Sequence, residues 1–355
     1  MRGALARVAA AAAVSACCCC LGCAHAQPRK IDIAEPLPAA VITAGPPAQV
    51  ALGDMDDATL FDTGARAFTA GQYEKAALHF DRLIDAFPGS DQLLPALWNS
   101  GLSHERLEQY QLSFGKFKSY LSKRDEPDAQ FHAAFAEYKL TRYDDAARRL
   151  HALSDRSDLP PSRKGEALLQ EGVCLVEGGS REGGEKLLRA AAALYEKDDA
   201  VDPALPAQAE FWLGEVYRFD FRDITLDPSI MDEKQLADTL ESKAQFLLSA
   251  QGHYLRAIRK GDGEWATASG FRIGDLYEQF HDELIKAPLP RGLTEEQRGL
   301  YQSALREKVR NLVGKAIRIY EQTLATAQRV GAQSSYVNKT EDALNRLKKL
   351  MLETN

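Results

Sequence analysis

Small and bulky side chains alternate at fixed intervals between residues 57 and 90, and this spacing constrains the fold more than any other feature of the chain. The residues concerned are Gly64, Gly71, Tyr73, Ala76, Phe80 and Pro88. Gly71 interrupts an otherwise helical pattern, which predicts two helices joined by a short turn. The small residues allow the helices to approach closely, the aromatic rings fill the space behind them, and Pro88 ends the second helix.

The same pattern recurs three more times at a spacing of about 34 residues, over 94–127, 127–160 and 165–198. The positions kept are Gly101, Tyr110 and Phe117 in the second unit, Tyr143 and Ala146 in the third, and Gly172 in the fourth. This spacing is that of the tetratricopeptide repeat, in which each unit is a pair of antiparallel helices that stacks on the next pair.

The rest of the chain carries the pattern of two further first helices. In both cases the second helix of the pair follows after a longer interval than in the regular repeats. The first helices are marked by Gly214 with Tyr217 and by Gly274 with Tyr277. The matching second-helix aromatics follow only at Tyr254 and Tyr320, so we expect insertions near 219–240 and 286–300. A final amphipathic helix over about 335–352 should cap the stack with one apolar and one charged face.

These patterns predict an all-α fold, a tetratricopeptide-repeat superhelical solenoid of antiparallel helix pairs. We expect four regular repeats over 54–200, followed by two irregular repeats with insertions and a capping helix over 201–355. No stretch after Leu52 alternates with period two over the length of a strand, so no β-sheet is expected.

Residues 1–23 have the pattern of an export signal, because two arginines precede a short apolar, alanine-rich stretch. The sequence Val14-Ser15-Ala16-Cys17 has the form of a bacterial lipobox, so Cys17 is the first candidate for lipidation and Cys23 the second. Cleavage after Ala26 without a lipid is the remaining alternative. We therefore expect an exported protein in the periplasm, as an outer-membrane lipoprotein if the cysteine is used.

Residues 24–53 are rich in proline and alanine and show no helical period. Such a composition buries too little apolar surface to fold by itself. We expect a disordered tether with stretches of polyproline II conformation, which would hold the folded body away from a membrane.

The sequence contains no recognisable catalytic, metal-binding or cofactor-binding motif. Its seven histidines include no H-E-x-x-H pair, and Cys174 is the only cysteine after Cys23. The net charge of −7 lacks the basic character of a nucleic-acid-binding protein. We therefore expect no enzymatic activity, no metal or cofactor, and no nucleic-acid or small-molecule ligand. The expected partners are other proteins of the cell envelope.

In repeats of this type the first helix of each pair lines the concave face, and its second and fifth positions point into the groove. The fifth position is aromatic in five of the six first helices, and two neighbouring aromatics extend the same surface. The predicted protein-binding residues are Phe61, Trp98, Phe131, Phe135, Tyr138, Phe211 and Phe271. Buried aromatic side chains supply much of the energy of protein interfaces. The alternative is that these residues pack between repeats.

Two segments, 61–68 and 315–321, together with the cysteine-containing signal and the tether, resemble periplasmic repeat lipoproteins of myxobacteria and related deltaproteobacteria. Some members of that group belong to the adventurous gliding-motility machinery. The resemblance implies a scaffold anchored in the outer membrane that docks envelope proteins. A second interpretation is an assembly factor similar to the repeat lipoprotein of the outer-membrane β-barrel insertion machine, which would bind nascent barrels.

Overall fold

The computed structural model describes residues 55–197, 201–289 and 292–353. Within these ranges it contains thirteen α-helices and no β-strand, so the predicted all-α fold is confirmed. None of the helices in this part of the chain is both long and apolar enough to cross a bilayer. The predicted signal segment 1–23, with Cys17 and Cys23, and the predicted tether 24–53 lie outside the described residues.

The helices form two compact units, in each of which consecutive helices pack against one another. The first unit ends at Gly178 and contains α1 (Asp57–Thr69), α2 (Tyr73–Ala86), α3 (Leu93–Arg106), α4 (Tyr110–Leu121), α5 (Pro127–Lys139), α6 (Tyr143–Ser154) and α7 (Pro161–Glu177). The second unit begins at Gly179 and contains α8 (Arg181–Tyr195), α9 (Ala204–Asp223), α10 (Glu233–Arg259), α11 (Gly263–Lys286), α12 (Glu295–Val330) and α13 (Ser335–Glu353).

The division between the units falls earlier than the end of the fourth predicted repeat. The sequence pattern carries the regular repeats to residue 200, whereas the structure divides after Gly178. Helix α8 packs against α9 and therefore belongs to the second unit. Repeat spacing identifies α8 as a helix but does not specify which neighbour covers its apolar face.

In the first unit, two predicted glycine–aromatic pairs are close contacts between paired helices. A Cβ built on Gly64 of α1 would lie 2.9 Å from the ring of Phe80 on α2, and one built on Gly101 of α3 would lie 2.8 Å from the ring of Phe117 on α4. Both rings are fully buried. Only glycine lets the first helix approach the ring so closely, which is why the repeat has glycine at this position.

The turns inside the first three helix pairs each use one residue in the left-handed region. This residue is Gly71 in the first pair, Glu108 in the second and Thr141 in the third, with φ angles of 72°, 57° and 59°. Glycine adopts this conformation freely, whereas an L-residue with a side chain holds it at a cost of about 1 kcal/mol. The second helix then begins at Tyr73, Tyr110 or Tyr143.

In the second unit, the irregular repeats are long helix pairs. Tyr254 of α10 packs against Gly214 of α9, and Tyr320 of α12 packs against Gly274 of α11. Both tyrosines are fully buried. Much of the extra sequence forms additional helical turns, so that α10 has 27 residues and α12 has 36. The bounds of α13 are close to those expected for the capping helix.

A buried carboxylate links three helices of the second unit. The oxygens of Glu215 on α9 lie 2.5 Å from the hydroxyl of Tyr254, 2.7 Å from Nη2 of Arg218 and 3.0 Å from Nε of Arg272. Burial by itself would raise the pKa of Glu215, but the two guanidinium groups outweigh it and lower the pKa. The carboxyl is therefore ionised and paired inside the unit.

Candidate binding pocket at Trp98

A surface pocket with a volume of about 300 Å³ lies beside α3 in the first unit. Its lining residues are Phe68 from α1, Leu94, Pro95, Trp98, Asn99 and Leu102 from α3, Tyr120 from α4, and Arg124, Glu126 and Asp128 from the α4–α5 connection and the start of α5. We call this set the Trp98 pocket. Helix α3 supplies half of its lining, so the position of α3 fixes the shape of the pocket.

The ring of Trp98 is part of a packed aromatic cluster. Its centroid lies 5.6 Å from that of Phe117, 5.5 Å from that of Tyr120 and 5.5 Å from that of His132, in each case edge to face. His132 stacks on Phe117 at 4.8 Å. These contacts fix the orientation of the indole, which is half-buried. The pocket therefore presents a preorganised apolar wall to anything that enters it.

Charged side chains also line the pocket. Arg124 lies 3.8 Å from Glu126, and Asp128 is paired with Arg163 of α7. The guanidinium of Arg163 also lies 4.3 Å above the ring of Phe131. Protein interfaces combine an apolar core with a polar rim, and the lining of this pocket offers both kinds of side chain.

Helix α3 is held in place from its other side by a polar network around Asp81 of α2. Three donors surround this carboxylate: Ser100 Oγ at 2.5 Å, Lys116 Nζ at 2.8 Å and His104 Nε2 at 3.0 Å. Burial by itself would raise the pKa of Asp81, but these contacts outweigh it and lower the pKa to about 2. The ionised carboxylate thus ties α2 to α3 and α4, which carry Trp98, Phe117 and Tyr120.

The structure buries two of the seven predicted groove residues. Phe131 and Phe211 are only 4% and 3% exposed, so neither presents a surface to a partner. The ring of Phe211 lies 5.6 Å from that of Tyr254 and 5.0 Å from that of Trp265 on the next first helix, α11. For these two residues the structure shows packing between helices.

The other five predicted residues are half-buried, namely Phe61, Trp98, Phe135, Tyr138 and Phe271. Phe61 packs on Phe80 with 5.6 Å between ring centroids. The ring of Phe271 lies 5.8 Å from that of Tyr336 on α13. Trp98 lines the pocket described above, whereas the structure does not bring Phe61, Phe135 or Tyr138 into it. A binding role for these residues remains a prediction.

Sequence reasoning missed most of the pocket lining. In the repeat register that places Trp98 and Phe131 at the fifth position, Pro95 and Asp128 lie at the second position. Reading that position beside the fifth would have found both residues. Tyr120, Arg124 and Glu126 lie at the end of α4 and in the connection to α5, where no repeat position predicts a contact with the groove.

Cys174 lies inside α7 and is buried. Burial and nearby carboxylates raise the pKa of its thiol far above the usual range, so the thiolate is scarcely populated. Among the residues that the structure describes, no three His, Cys, Asp or Glu side chains are arranged to hold a metal ion.

No protein-family model matches the chain, and no curated protein matches it at a significant level. Among solved structures, the apo form of RapI is 11% identical, covers 84% of this chain and 100% of its own, and has a TM-score of 0.47. A tetratricopeptide repeat protein from Parabacteroides merdae is 14% identical, with 82% and 98% covered and a TM-score of 0.40. A TPR repeats protein from Bacteroides fragilis is 15% identical, with 63% and 97% covered and a TM-score of 0.31. Similarity at this level assigns neither a family nor a function.

Proposed function

We propose that this chain is a non-enzymatic scaffold that binds other proteins, with the Trp98 pocket as a main contact. The observation that carries the proposal is the half-buried indole of Trp98, which is held edge to face by Phe117 and Tyr120 beside an open cavity. A rigid aromatic side chain in a pocket binds an apolar partner segment with little loss of conformational entropy. Such an anchor contributes about 2 kcal/mol or more, which is roughly 30-fold in Kd.

The proposed location is the periplasm, with the body tethered to the outer membrane through a lipid on Cys17. The lipobox pattern and the Pro/Ala-rich segment after it support this assignment. Several acyl chains on one cysteine anchor a protein stably, because each buried CH₂ contributes about 0.8 kcal/mol.

The proposed setting is an envelope complex such as a gliding-motility machine, which rests on the resemblance of the sequence to repeat lipoproteins. The alternative is an assembly factor that binds nascent outer-membrane β-barrels. The two differ in clientele. Capture of envelope-motor subunits would favour the first, and capture of the barrel-insertion pore would favour the second.

The binding proposal is tested with two matched variants. Pro95→Glu places a charge in the pocket, and Leu112→Glu places one on an exposed apolar residue outside it. Both are the third residue of a helix, where an acidic side chain suits the helix dipole, so neither should unfold the protein. After proximity labelling in native cells, Pro95→Glu should lose its main partner and Leu112→Glu should keep it. Equal labelling by both variants and the wild type would contradict a role for the pocket.

Lipidation is tested by metabolic labelling with an alkyne fatty acid. The wild type should be labelled and Cys17→Ser should not. Labelling that persists in Cys17→Ser but disappears in Cys23→Ser would move the anchor to the second cysteine. Absence of label from the wild type would refute the lipid anchor while leaving the binding proposal intact.

A further inference from the structure

Helix α10 of the second unit carries a regular row of outward-facing residues along one face, while its other faces pack against α9 and α11. Five of these residues are exposed and the glycine among them is partly exposed. Their spacing alternates between four and three, which is the spacing of the contact seam in a coiled coil. We call this set the α10 row: Glu241, Gln245, Leu248, Gly252, Leu255 and Arg259.

The centre of the α10 row is apolar and contains a gap. Leu248 and Leu255 are 62% and 39% exposed, which is unusual for two large apolar residues on one helix face. Gly252 lies between them, and a Cβ built there would meet only the end of the Arg256 side chain, at 3.7 Å. Glycine is a poor helix former, and no described atom crowds this position. The space above Gly252 is therefore open to a side chain from outside.

The two ends of the α10 row carry opposite charges. Glu241 and Arg259 are separated by 18 residues, or about 27 Å at 1.5 Å per residue. Within the part of the chain that the structure describes, neither side chain takes part in an ion pair. Glu241 accepts a hydrogen bond of 3.3 Å from Gln245 on its own helix. A row with an acid at one end and a base at the other is complementary to its own reverse.

We propose that a second copy of this chain docks on the α10 row, with the two helices antiparallel and a two-fold axis passing beside Ala250. In such a contact, if one residue faces another, the same pair forms again on the other side of the axis. The facing pairs are Leu248 with Gly252, Gln245 with Leu255, and Glu241 with Arg259. Each leucine at position 248 fills the gap at Gly252 of the second copy, and each free charge gains an opposite charge.

The charges also select this arrangement over its alternatives. A parallel pair would place Glu241 against Glu241 and Arg259 against Arg259, and like charges facing each other are unfavourable. An antiparallel pair shifted by one heptad would bring Arg259 opposite Leu248 in one direction. In the other direction it would bring Arg259 opposite the exposed Lys234. Only the unshifted antiparallel pair joins Glu241 to Arg259.

The contact is small, since each copy contributes two exposed leucines and one glycine to its centre. Interfaces of this size belong to weak, reversible associations. In dilute solution the two copies separate, and Glu241 is then an ordinary exposed side chain. The proposal concerns a surface of the second unit and does not depend on the Trp98 pocket.

The test is photocrosslinking of the full chain in native cells that express two copies with different affinity tags. Benzoylphenylalanine replaces Gln245, which leaves both leucines and both charges of the α10 row in place. The control places it at Leu78, an exposed apolar residue on α2. Position 245 should give an adduct that carries both tags, with the crosslink mapped by mass spectrometry to Leu255 or its neighbours. Position 78 should give no such adduct.

Substitutions in the row test the facing pairs. Leu248→Glu and Arg259→Glu should each lower the yield of the doubly tagged adduct at least about fivefold, because each brings unpaired or like charge into the contact. Combining Arg259→Glu with Glu241→Arg should restore the yield, since the opposite charges again face each other. Both positions are exposed, so the single chains should fold as the wild type does.

Three results would overturn docking of a second copy: no adduct from position 245, an adduct with a different protein only, or equal self-adducts from positions 245 and 78. A crosslink from position 245 to residues 241–248 of the second copy would indicate a parallel pair and overturn the antiparallel arrangement. Failure of the charge exchange to restore the yield would refute the pairing of Glu241 with Arg259.

Discussion

The ring of Phe117 on α4 covers Gly101 on α3 so closely that a Cβ on the glycine would lie 2.8 Å from it. This contact sets the spacing of the helix pair that carries Trp98. Gly101→Ala forces the ring or the helix to move, and overpacking of this kind costs about 1–3 kcal/mol. We expect a loss of that size in chemical denaturation of the wild type and variant.

Gly115→Ala is the matched control for this prediction. Gly115 lies in the middle of α4 with no neighbouring atom near the position of a Cβ. Alanine there should stabilise the protein by about 0.5–1 kcal/mol, because glycine is a poor helix former. If both variants change stability in the same direction and by the same amount, the close contact does not set the helix spacing.

Thr141 holds a left-handed conformation that its β-branched side chain disfavours. It occupies the turn position that Gly71 fills in the first pair, with φ of 59°. Thr141→Gly should raise the free energy of unfolding by about 0.5 kcal/mol or less, since the relief of strain is partly offset by the added entropy of the unfolded chain. The reverse exchange, Gly71→Thr, should lower it by a similar amount. A drop in stability for Thr141→Gly would contradict this interpretation of the turn.

The Asp81 network should make the first unit sensitive to acid. The pKa of Asp81 is about 2 in the folded protein, below its usual value of 3.8, because hydrogen bonds from His104, Lys116 and Ser100 outweigh the effect of burial. Because the folded form binds the proton less tightly, the contribution is complete above pH 4 and is lost as the pH falls toward 2. Asp81→Asn should therefore destabilise the protein by about 2 kcal/mol at pH 7, with a difference that shrinks toward pH 2.

The control for the acid prediction is Asp85→Asn, an exposed position on the same helix. A surface substitution of this kind changes stability by about 0.5 kcal/mol or less. Denaturation curves at pH 7, 4 and 2.5 for both variants separate the two cases. A gap between Asp81→Asn and the wild type that stays constant with pH would show that the carboxylate charge is not what stabilises the network.

Glu215 should be among the most sensitive positions of the second unit. Glu215→Gln leaves the buried Arg218 and the partly buried Arg272 without their shared carboxylate, and breaking a buried ion pair costs about 3–5 kcal/mol. The control Glu241→Gln changes an exposed side chain on α10. Thermal unfolding in a Trp98→Phe background, followed by the fluorescence of Trp212 and Trp265, reports on this unit. A Glu215→Gln variant as stable as the control would mean that the cluster is dispensable.

The helix pairs could be predicted because their defining contacts recur at fixed positions in the sequence. Gly64 contacts Phe80 on the helix that follows it directly after a short turn. In the second unit the helices are longer, but Tyr254 and Tyr320 still contact Gly214 and Gly274. Helix lengths in the second unit were harder to predict, because insertions can extend a helix or lengthen a loop.

The candidate site could be predicted only in part, because an aromatic residue at the fifth position can either face the groove or pack between repeats. Phe211 is covered by Trp265 of the next first helix, α11, and Phe131 by the guanidinium of Arg163 on α7. Trp98 is left beside a cavity, because the α4–α5 connection does not close over it. Which of these outcomes applies depends on the next helix rather than on the residue itself.

The most direct test of the scaffold proposal is site-specific photocrosslinking in native cells. A photoreactive benzoylphenylalanine is placed at position 95, in the pocket, or at position 112, on an exposed apolar site outside it. The account predicts a discrete higher-mass adduct with another envelope protein from position 95 and none from position 112. An adduct from position 112 alone, or no intermolecular adduct from position 95, would contradict it.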